Sequence, residues 1–295
     1  MNIPGGIYVP MITPFSPQDE SVDFSALAEN TRRLCESGVA GLMPLGSNGE
    51  FRSLGDDEAA AVLRTVRRHM PQGIPLFAGA GRESAHATLA WIRRCRDEGA
   101  DAVFVLTPSF FSKTVGAEGL MRFYAAVADE SPLPVLLYAA PGYAAGVELP
   151  ADVVRALSAH PNVIGMKDTS RQPVEAYRDF CSPSFSMLAG SQGKLISWLD
   201  AGAVGGVLSA ANYAPGLCVR LYGEYRRNPE GARRLDGALR AAGAAISGRF
   251  GVAGVKAAAT LSGFRGGVAR NPFGRLTPSD EAEVAAALAS LDATR

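Results

Sequence analysis

A lysine, a tyrosine and a serine-asparagine pair are the side chains of this sequence best placed to do chemistry. Lys167 closes the apolar run Asn162-Val163-Ile164-Gly165-Met166-Lys167, which reads as a buried strand. Asp168, Thr169 and Ser170 follow, residue types that suit a turn and the cap of a following helix. A lysine so placed has a dry strand behind it and an open loop ahead. Desolvation disfavours its ammonium form, lowers its pKa and leaves a nucleophilic amine near neutral pH. Such an amine attacks a ketone to form a Schiff base, an electron sink for breaking or making C–C bonds. The plainer alternative is a lysine that snorkels out of a strand end.

Tyr138 closes a second apolar run, Pro134-Val135-Leu136-Leu137-Tyr138. By itself it also fits a core tyrosine with a wet hydroxyl. Neighbouring strands lie roughly 5 Å apart, so Tyr138 and Lys167 at matching levels of adjacent strands could meet. A phenol beside a Schiff-base lysine can donate and accept protons. In Gly46-Ser47-Asn48-Gly49-Glu50, two glycines flank a hydroxyl and an amide. Backbone N–H groups there can converge on an anion such as a carboxylate. An ordinary strand-to-helix turn would carry the same residues.

These groups need a scaffold that brings strand ends together. Strand candidates fall at Ile7–Ile12, Gly41–Leu45, Pro75–Ala78, Ala102–Leu106, Pro134–Tyr138, Val163–Lys167, Phe185–Leu188 and Ala203–Leu208. Helical patterns follow them, among them Phe24–Ser37, Asp56–His69, Ala85–Glu98, Leu120–Glu130 and Pro150–Ala159. Repeated βα units argue for a parallel sheet buried on both faces. Eight of them favour an α/β fold of the (β/α)8 barrel type over an open doubly wound sheet, with chemistry at the C-terminal ends of the strands. Gly79-Ala80-Gly81-Arg82-Glu83-Ser84 lacks the third glycine of a dinucleotide fingerprint, which weakens the open-sheet alternative. From Leu217 to Arg295 the pattern is helical, with Ala-rich stretches at Ala238–Ala245 and Ala282–Leu291. The expected division is a barrel with the active site over 1–216 and a helical extension over 217–295 packed on it.

Composition narrows the function classes. A chain of 295 residues with 47% hydrophobic content can bury a large core. Its formal net charge is zero, without blocks of like charge, so neither nucleic acid nor an anionic membrane is an expected partner. No apolar stretch approaches the roughly 20 residues that span a bilayer. Met1-Asn2-Ile3-Pro4-Gly5-Gly6 has neither the basic segment nor the apolar core of a signal peptide. Cys35, Cys95, Cys181 and Cys218 are scattered without CxxC spacing and read as free thiols in a reducing compartment. His69, His86 and His160 form no cluster with metal-ligand spacing. A cytoplasmic protein without metal or cofactor is the expectation.

Taken together, Gly46-Ser47-Asn48-Gly49-Glu50, Tyr138 with Pro141-Gly142, Gly165-Met166-Lys167-Asp168 and Gly202-Ala203-Val204-Gly205-Gly206 resemble a known family. It is that of the pyruvate-dependent class I aldolases and lyases, which includes dihydrodipicolinate synthase and N-acetylneuraminate lyase, and the likeness runs over essentially the whole chain. The resemblance implies a (β/α)8 barrel with a helical tail and a Schiff base between Lys167 and a 2-oxo acid, usually pyruvate. It implies that Tyr138 shuttles protons, and that Ser47 and Asn48 hold the carboxylate and help relay the proton. It also places Gly190, Ser209, Tyr143 and Phe110 around the substrate, and implies a homo-oligomer, dimer or tetramer.

Departures from the family pattern bear on the substrate. Dihydrodipicolinate synthases normally place an arginine after Pro-Gly for the second substrate's carboxylate, whereas Tyr143 follows Pro141-Gly142 here. A distant arginine, Arg249 or Arg265, could substitute only if the fold brings it to the mouth. Sialic acid lyases typically carry acidic residues where this chain reads Gly190-Ser191-Gln192-Gly193. Gly46-Ser47-Asn48-Gly49-Glu50-Phe51, Leu188-Ala189-Gly190-Ser191 and Arg249-Phe250-Gly251 look like the 4-hydroxy-2-oxoglutarate aldolase branch. The family's relay tyrosine from a neighbouring subunit has Phe110 as its nearest match, in Thr107-Pro108-Ser109-Phe110-Phe111. A relay would then end on water, Ser109 or another group, and Phe110 with Phe111 would suit an apolar contact between subunits. The alternatives are a 2-oxo-3-deoxy sugar acid dehydratase or aldolase, a dihydrodipicolinate synthase, and a catalytically silent sensor of 2-oxo acids.

Overall fold

The computed structural model describes residues 1–178, 185–292 and 294. Its strands are β1 (Gly6–Val9), β2 (Gly41–Leu42), β3 (Phe77–Gly79), β4 (Ala102–Leu106), β5 (Val135–Ala139), β6 (Val163–Asp168), β7 (Ser186–Ala189) and β8 (Gly205–Val207). Its helices are α1 (Phe24–Glu36), α2 (Asp56–His69), α3 (Ala85–Asp97), α4 (Ala117–Glu130), α5 (Ala151–Ser158), α6 (Glu175–Arg178), α7 (Leu195–Asp200), α8 (Pro215–Glu224), α9 (Pro229–Gly243), α10 (Arg249–Leu261) and α11 (Pro278–Asp292). All eight expected strands are present, each within three residues of its expected start. Cys181 lies outside the described residues.

By internal packing the chain forms two compact units, one of Met1–Gly5 with Pro75–Val207, the other of Gly6–Ile74 with Leu208–Arg295. In the first, β3 to β8 pair in sequence order, every neighbour parallel. All five residues of β4 and of β5 and all six of β6 are buried, as strands covered on both faces require. The register puts Leu106, Tyr138, Lys167 and Leu188 at one level of four successive strands. Helices α3 and α4 turn Leu89, Trp91, Ile92 and Leu120, Phe123, Val127 inward, at the spacing of an amphipathic helix. Each such side chain taken fully out of water contributes ~1.5–3 kcal/mol.

In the second unit β1 and β2 pair in parallel, Tyr8 with Gly41 and Val9 with Leu42. Strand β2 stops short of the expected Leu45; Met43 still bonds to Val9 and Met11 through its backbone, and Leu45 takes a left-handed backbone, φ 62°. Helix α1 starts where the Asp23 carboxylate accepts the Ala26 N–H, and α2 carries Asp56, Asp57 and Glu58 in its first turn and Arg67, Arg68 and His69 in its last. Both devices favour helix at those ends. The C-terminal part is helical, as expected, but not throughout. Residues 262–277 lie between helices, and Val268 bridges Phe15 there. Gly263, Gly266, Gly267, Pro272 and Gly274 in that segment oppose helix through backbone freedom and missing donors. The Ala238–Ala245 run crosses from α9 into a π-helical turn over Ala244–Gly248.

Candidate active site

Lys167 sits within β6, with the strand continuing one residue beyond it, so no open loop lies directly ahead as the sequence suggested. It is 3% exposed. Burial alone pulls its pKa from the ordinary lysine range to about 7, because a desolvated ammonium loses its hydration. Its Nζ lies 4.2 Å from the centre of the Tyr138 ring and 5.6 Å from that of Phe104. Phe104 in turn meets Tyr138 edge-on, 5.7 Å between centres. Aromatic faces return only ~0.5–2 kcal/mol to a cation, less than full burial costs it, so the amine loses its proton far more readily than an ordinary lysine. The pairing of Tyr138 with Lys167 across β5 and β6 is as expected. Phe104 was missed, although its place two residues before Leu106 on β4 puts it on the same strand face.

Asp168 faces the opposite side of β6 and is fully buried. Its carboxylate pairs with Lys194 at 3.0 Å and accepts the Ser170 hydroxyl, also at 3.0 Å. Asp168 and Ser170 therefore close the strand in a side-chain turn and do not cap a helix, since α6 begins only at Glu175. Gly190 is needed for close approach. A Cβ there would stand 2.5 Å from the Asp168 carbonyl oxygen and 2.4 Å from the Thr169 methyl. Its N–H already donates to the Asp168 carbonyl at 2.8 Å, leaving a ligand only its carbonyl.

Phe110 and Tyr143, both expected near substrate, are 79% and 60% exposed. Phe110 packs edge-on against Phe111, 5.0 Å between centres. The loop that carries them is held by Glu83, whose carboxylate accepts the N–H of Ser109 at 2.9 Å and of Phe110 at 2.8 Å. The Ser109 hydroxyl also donates to Glu83, at 3.3 Å, so it is tied to a carboxylate. Glu83 was not singled out in the sequence because its partners lie 26 and 27 positions away.

In the other unit, the turn 46–50 is bracketed by two left-handed residues, Leu45 and Glu50, with φ of 62° and 52°. Such strain persists only where its surroundings enforce it. The N–H groups of Gly49 and Glu50 bond back to the carbonyls of Gly46 and Ser47, both at 3.1 Å. Donors for an anion thus narrow to the N–H groups of Ser47 and Asn48 and the Ser47 hydroxyl. Asn48 is buried, and its amide donates to the Ser209 hydroxyl at 2.8 Å, so the structure joins two of the expected binding residues. Ser209 opens the short 3-10 turn that follows β8. At the end of that turn Asn212 accepts the Ile12 N–H at 3.0 Å and donates to the Pro10 carbonyl at 3.0 Å.

Neither candidate arginine is uncommitted: Arg249 pairs with Glu283, and Arg265 with Glu29. Among the described residues no three His, Cys, Asp or Glu side chains gather in a way that could hold a metal. No described helix is long and apolar enough to cross a membrane. Cys35 is half-buried and Cys95 and Cys218 are buried, all as free thiols.

The model of the dihydrodipicolinate synthetase family matches residues 3–291. An Emericella nidulans protein named "Probable 4-hydroxy-2-oxoglutarate aldolase, mitochondrial" is 34% identical over 88% of this chain and 85% of its own. The L-threo-3-deoxy-hexylosonate aldolase of Hypocrea jecorina is 30% identical over 93% of this chain and 92% of its own. The solved structure of YagE from Escherichia coli K12, described as a prophage protein of the dihydrodipicolinic acid synthase family in complex with pyruvate, superposes with a TM-score of 0.89 at 28% identity. It covers 98% of each chain. By this likeness the fold is a (β/α)8 barrel with a helical C-terminal part.

Proposed function

The chain belongs to the dihydrodipicolinate synthetase family, and from that premise we propose that it is a Schiff-base aldolase acting on a 2-oxo acid, with 4-hydroxy-2-oxoglutarate as substrate. The family and its named relatives make it an enzyme of the aldolase and lyase class. The observation that carries the mechanism is Lys167: a buried amine on β6, held near pKa 7 by burial and lying against Tyr138. About half of such amines are unprotonated at neutral pH, against fewer than one in a thousand at an ordinary lysine pKa.

In this reading the neutral Nζ of Lys167 adds to the C2 carbonyl carbon and water leaves, forming a protonated imine. A base takes the proton of the C4 hydroxyl, the C3–C4 bond breaks, and its electron pair flows into the iminium. Glyoxylate departs and an enamine remains on the lysine. Protonation at C3 and addition of water then release pyruvate and restore the amine. Tyr138 is the proposed carrier of these protons. Ser47 and Asn48 are proposed to hold the 2-oxo acid carboxylate, with Ser47 in the relay and Ser209 fixing Asn48. The family resemblance and the Asn48–Ser209 hydrogen bond support that assignment. Phe110 and Phe111 are proposed to meet a second copy of the chain, since both are widely exposed.

The test is borohydride reduction in the presence of pyruvate, with peptide mass spectrometry to locate the adduct. It should fall on Lys167, and its formation should slow about tenfold per pH unit below pH 7 as the amine protonates. An adduct on another lysine, or none with any 2-oxo acid, overturns the mechanism. A second reading, cleavage of a 2-oxo-3-deoxy sugar acid, has the Hypocrea jecorina relative in its favour. Comparing turnover of the two substrates decides between them.

A further inference from the structure

Glu50 ends the Gly46–Glu50 turn in a left-handed conformation without being a glycine, φ 52° and ψ 40°. Its carboxylate is wholly buried, and so is the lysine that meets it. One oxygen forms an ion pair with the Lys256 ammonium of α10. The other accepts the backbone N–H of Arg270 at 2.9 Å. Lys256 also donates to the Val268 carbonyl at 2.6 Å and lies 4.2 Å from the centre of the Phe15 ring. Arg270 covers the same ring from 4.3 Å and grips Glu58 with both guanidinium nitrogens, at 2.7 and 3.0 Å. Glu58 in turn accepts the Gly55 N–H at the start of α2.

Glu50, Glu58, Lys256 and Arg270 thus form a linked set of charges at the turn that carries Ser47 and Asn48, with the Glu20 carboxylate also near Arg270. Only Glu50 belongs to the turn itself. A buried carboxylate that gives up either partner is left uncompensated, so the two contacts favour the left-handed backbone in which Glu50 makes both. That conformation lets the Glu50 N–H close on the Ser47 carbonyl at 3.1 Å. The Thr13 hydroxyl holds the Gly49 carbonyl at 2.8 Å. The shape of the turn is therefore imposed at its downstream end by α10 and by residues 262–277.

We propose that Glu50 and Lys256 are positioning residues that hold the Ser47–Asn48 turn in the shape that binds the substrate carboxylate. The inference rests on the proposed imine chemistry at Lys167 and adds a role for the C-terminal helices. Ion pairs of this kind often do no more than hold a fold together, so the test must separate positioning from stability. It compares borohydride trapping of the Lys167 imine by pyruvate, which has a carboxylate, and by acetone, which has none. The proteins are the full-length wild type, Glu50→Gln, Lys256→Met and the double variant Glu50→Gln/Lys256→Met.

The ratio of second-order trapping constants, pyruvate over acetone, should fall about tenfold or more in each variant, the effect of losing a buried hydrogen bond to a charged group. Trapping by acetone should stay within about threefold of wild type. The double variant leaves no buried charge unpaired, so it should melt closer to wild type than either single variant while its ratio stays low. Should the single variants fail to fold, the double variant carries the measurement. A variant that traps acetone normally and keeps the wild-type ratio overturns the positioning role and leaves the imine chemistry standing. A wild type that traps neither ligand overturns the imine chemistry, and this inference with it.

Discussion

Lys167 on β6 and Lys256 on α10 are both almost wholly buried, at 3% and 1% exposed, yet they are surrounded in opposite ways. Around Lys167 are a strand backbone and the rings of Tyr138 and Phe104, and burial is the only influence on its pKa, which falls to about 7. Burial also pulls Lys256 down, to about 8, but Glu50 opposes the fall and Arg270 adds to it. A carboxylate makes a buried lysine a fixture, because its ammonium has a partner it cannot leave without exposing a buried negative charge. Both lysines also face an aromatic ring at 4.2 Å, but rings return little to a cation, so a buried lysine without a carboxylate is left easily deprotonated. Burial alone does not tell the two apart; the partner does.

Substitution should matter most at Lys167. Lys167→Arg should abolish turnover and imine trapping, by roughly 10⁴-fold or more, because a guanidinium stays protonated and cannot attack a carbonyl. Lys256→Met should still form the imine with acetone. Residual turnover in Lys167→Arg near the wild-type level would show that the nucleophile lies elsewhere.

Stability should move in opposite directions at the two lysines. Lys167 has its pKa lowered on folding, so between about pH 7 and 10.5 the folded chain binds fewer protons than the unfolded one, and stability rises with pH across that window. Lys167→Met removes this cost. It should stabilise the protein by about 3–5 kcal/mol at pH 6, with the gain shrinking to nothing near pH 10.5. Lys256→Met, which strands Glu50, should instead destabilise by about 3–5 kcal/mol at neutral pH. Denaturant melts at pH 6, 8 and 10 measure both. The same sign for both variants would erase the distinction between the two lysines.

Smaller effects sharpen the picture around the site. Asn48→Leu keeps the volume and removes the amide that holds Ser209. Pyruvate binding, read by the concentration that half-saturates trapping, should weaken about ten- to a hundredfold, or ~1–3 kcal/mol. An unchanged value would place the carboxylate elsewhere. The smallest effect concerns Tyr143. The wild type should be a poor dihydrodipicolinate synthase, because Tyr143 stands where the family resemblance expects an arginine and Arg249 and Arg265 are paired elsewhere. Tyr143→Arg should raise condensation of pyruvate with aspartate semialdehyde only a few-fold. At 60% exposed, an ion pair there is screened by water and worth ~0.2–1 kcal/mol. Efficient wild-type condensation in a coupled assay would refute this specificity.

Much of this was legible from the residues. Apolar runs such as Ala102–Leu106 and Val163–Lys167 announce buried strands because nearly every side chain in them must leave water. Lys167 stands out because it ends such a run. The Tyr138–Lys167 pairing followed from counting to the ends of adjacent strands. What stayed hidden was whatever depends on residues far apart in the chain. Phe104 looks like any core phenylalanine until the strands are aligned. Gly190 reads as a binding-loop glycine until Asp168 and Thr169 are seen to leave no room for a Cβ. Glu50 reads as the end of a motif, and Lys256 as one more helical lysine.

The order of the elements, the burial of the strands and the lysine that closes an apolar run were all readable from the residues alone. Those are set by residue type and by periods of two and 3.6, which a neighbour or two along the chain suffices to express. Which buried lysine has a carboxylate partner is settled by the fold, which sets Lys256 against Glu50. The fold also decided that Asn48 reaches Ser209, 161 positions away, and that Arg270 closes on Glu50, 220 positions away. Electrostatic partnership depends on distance in space and on how little water lies between the charges. No spacing along the chain encodes either.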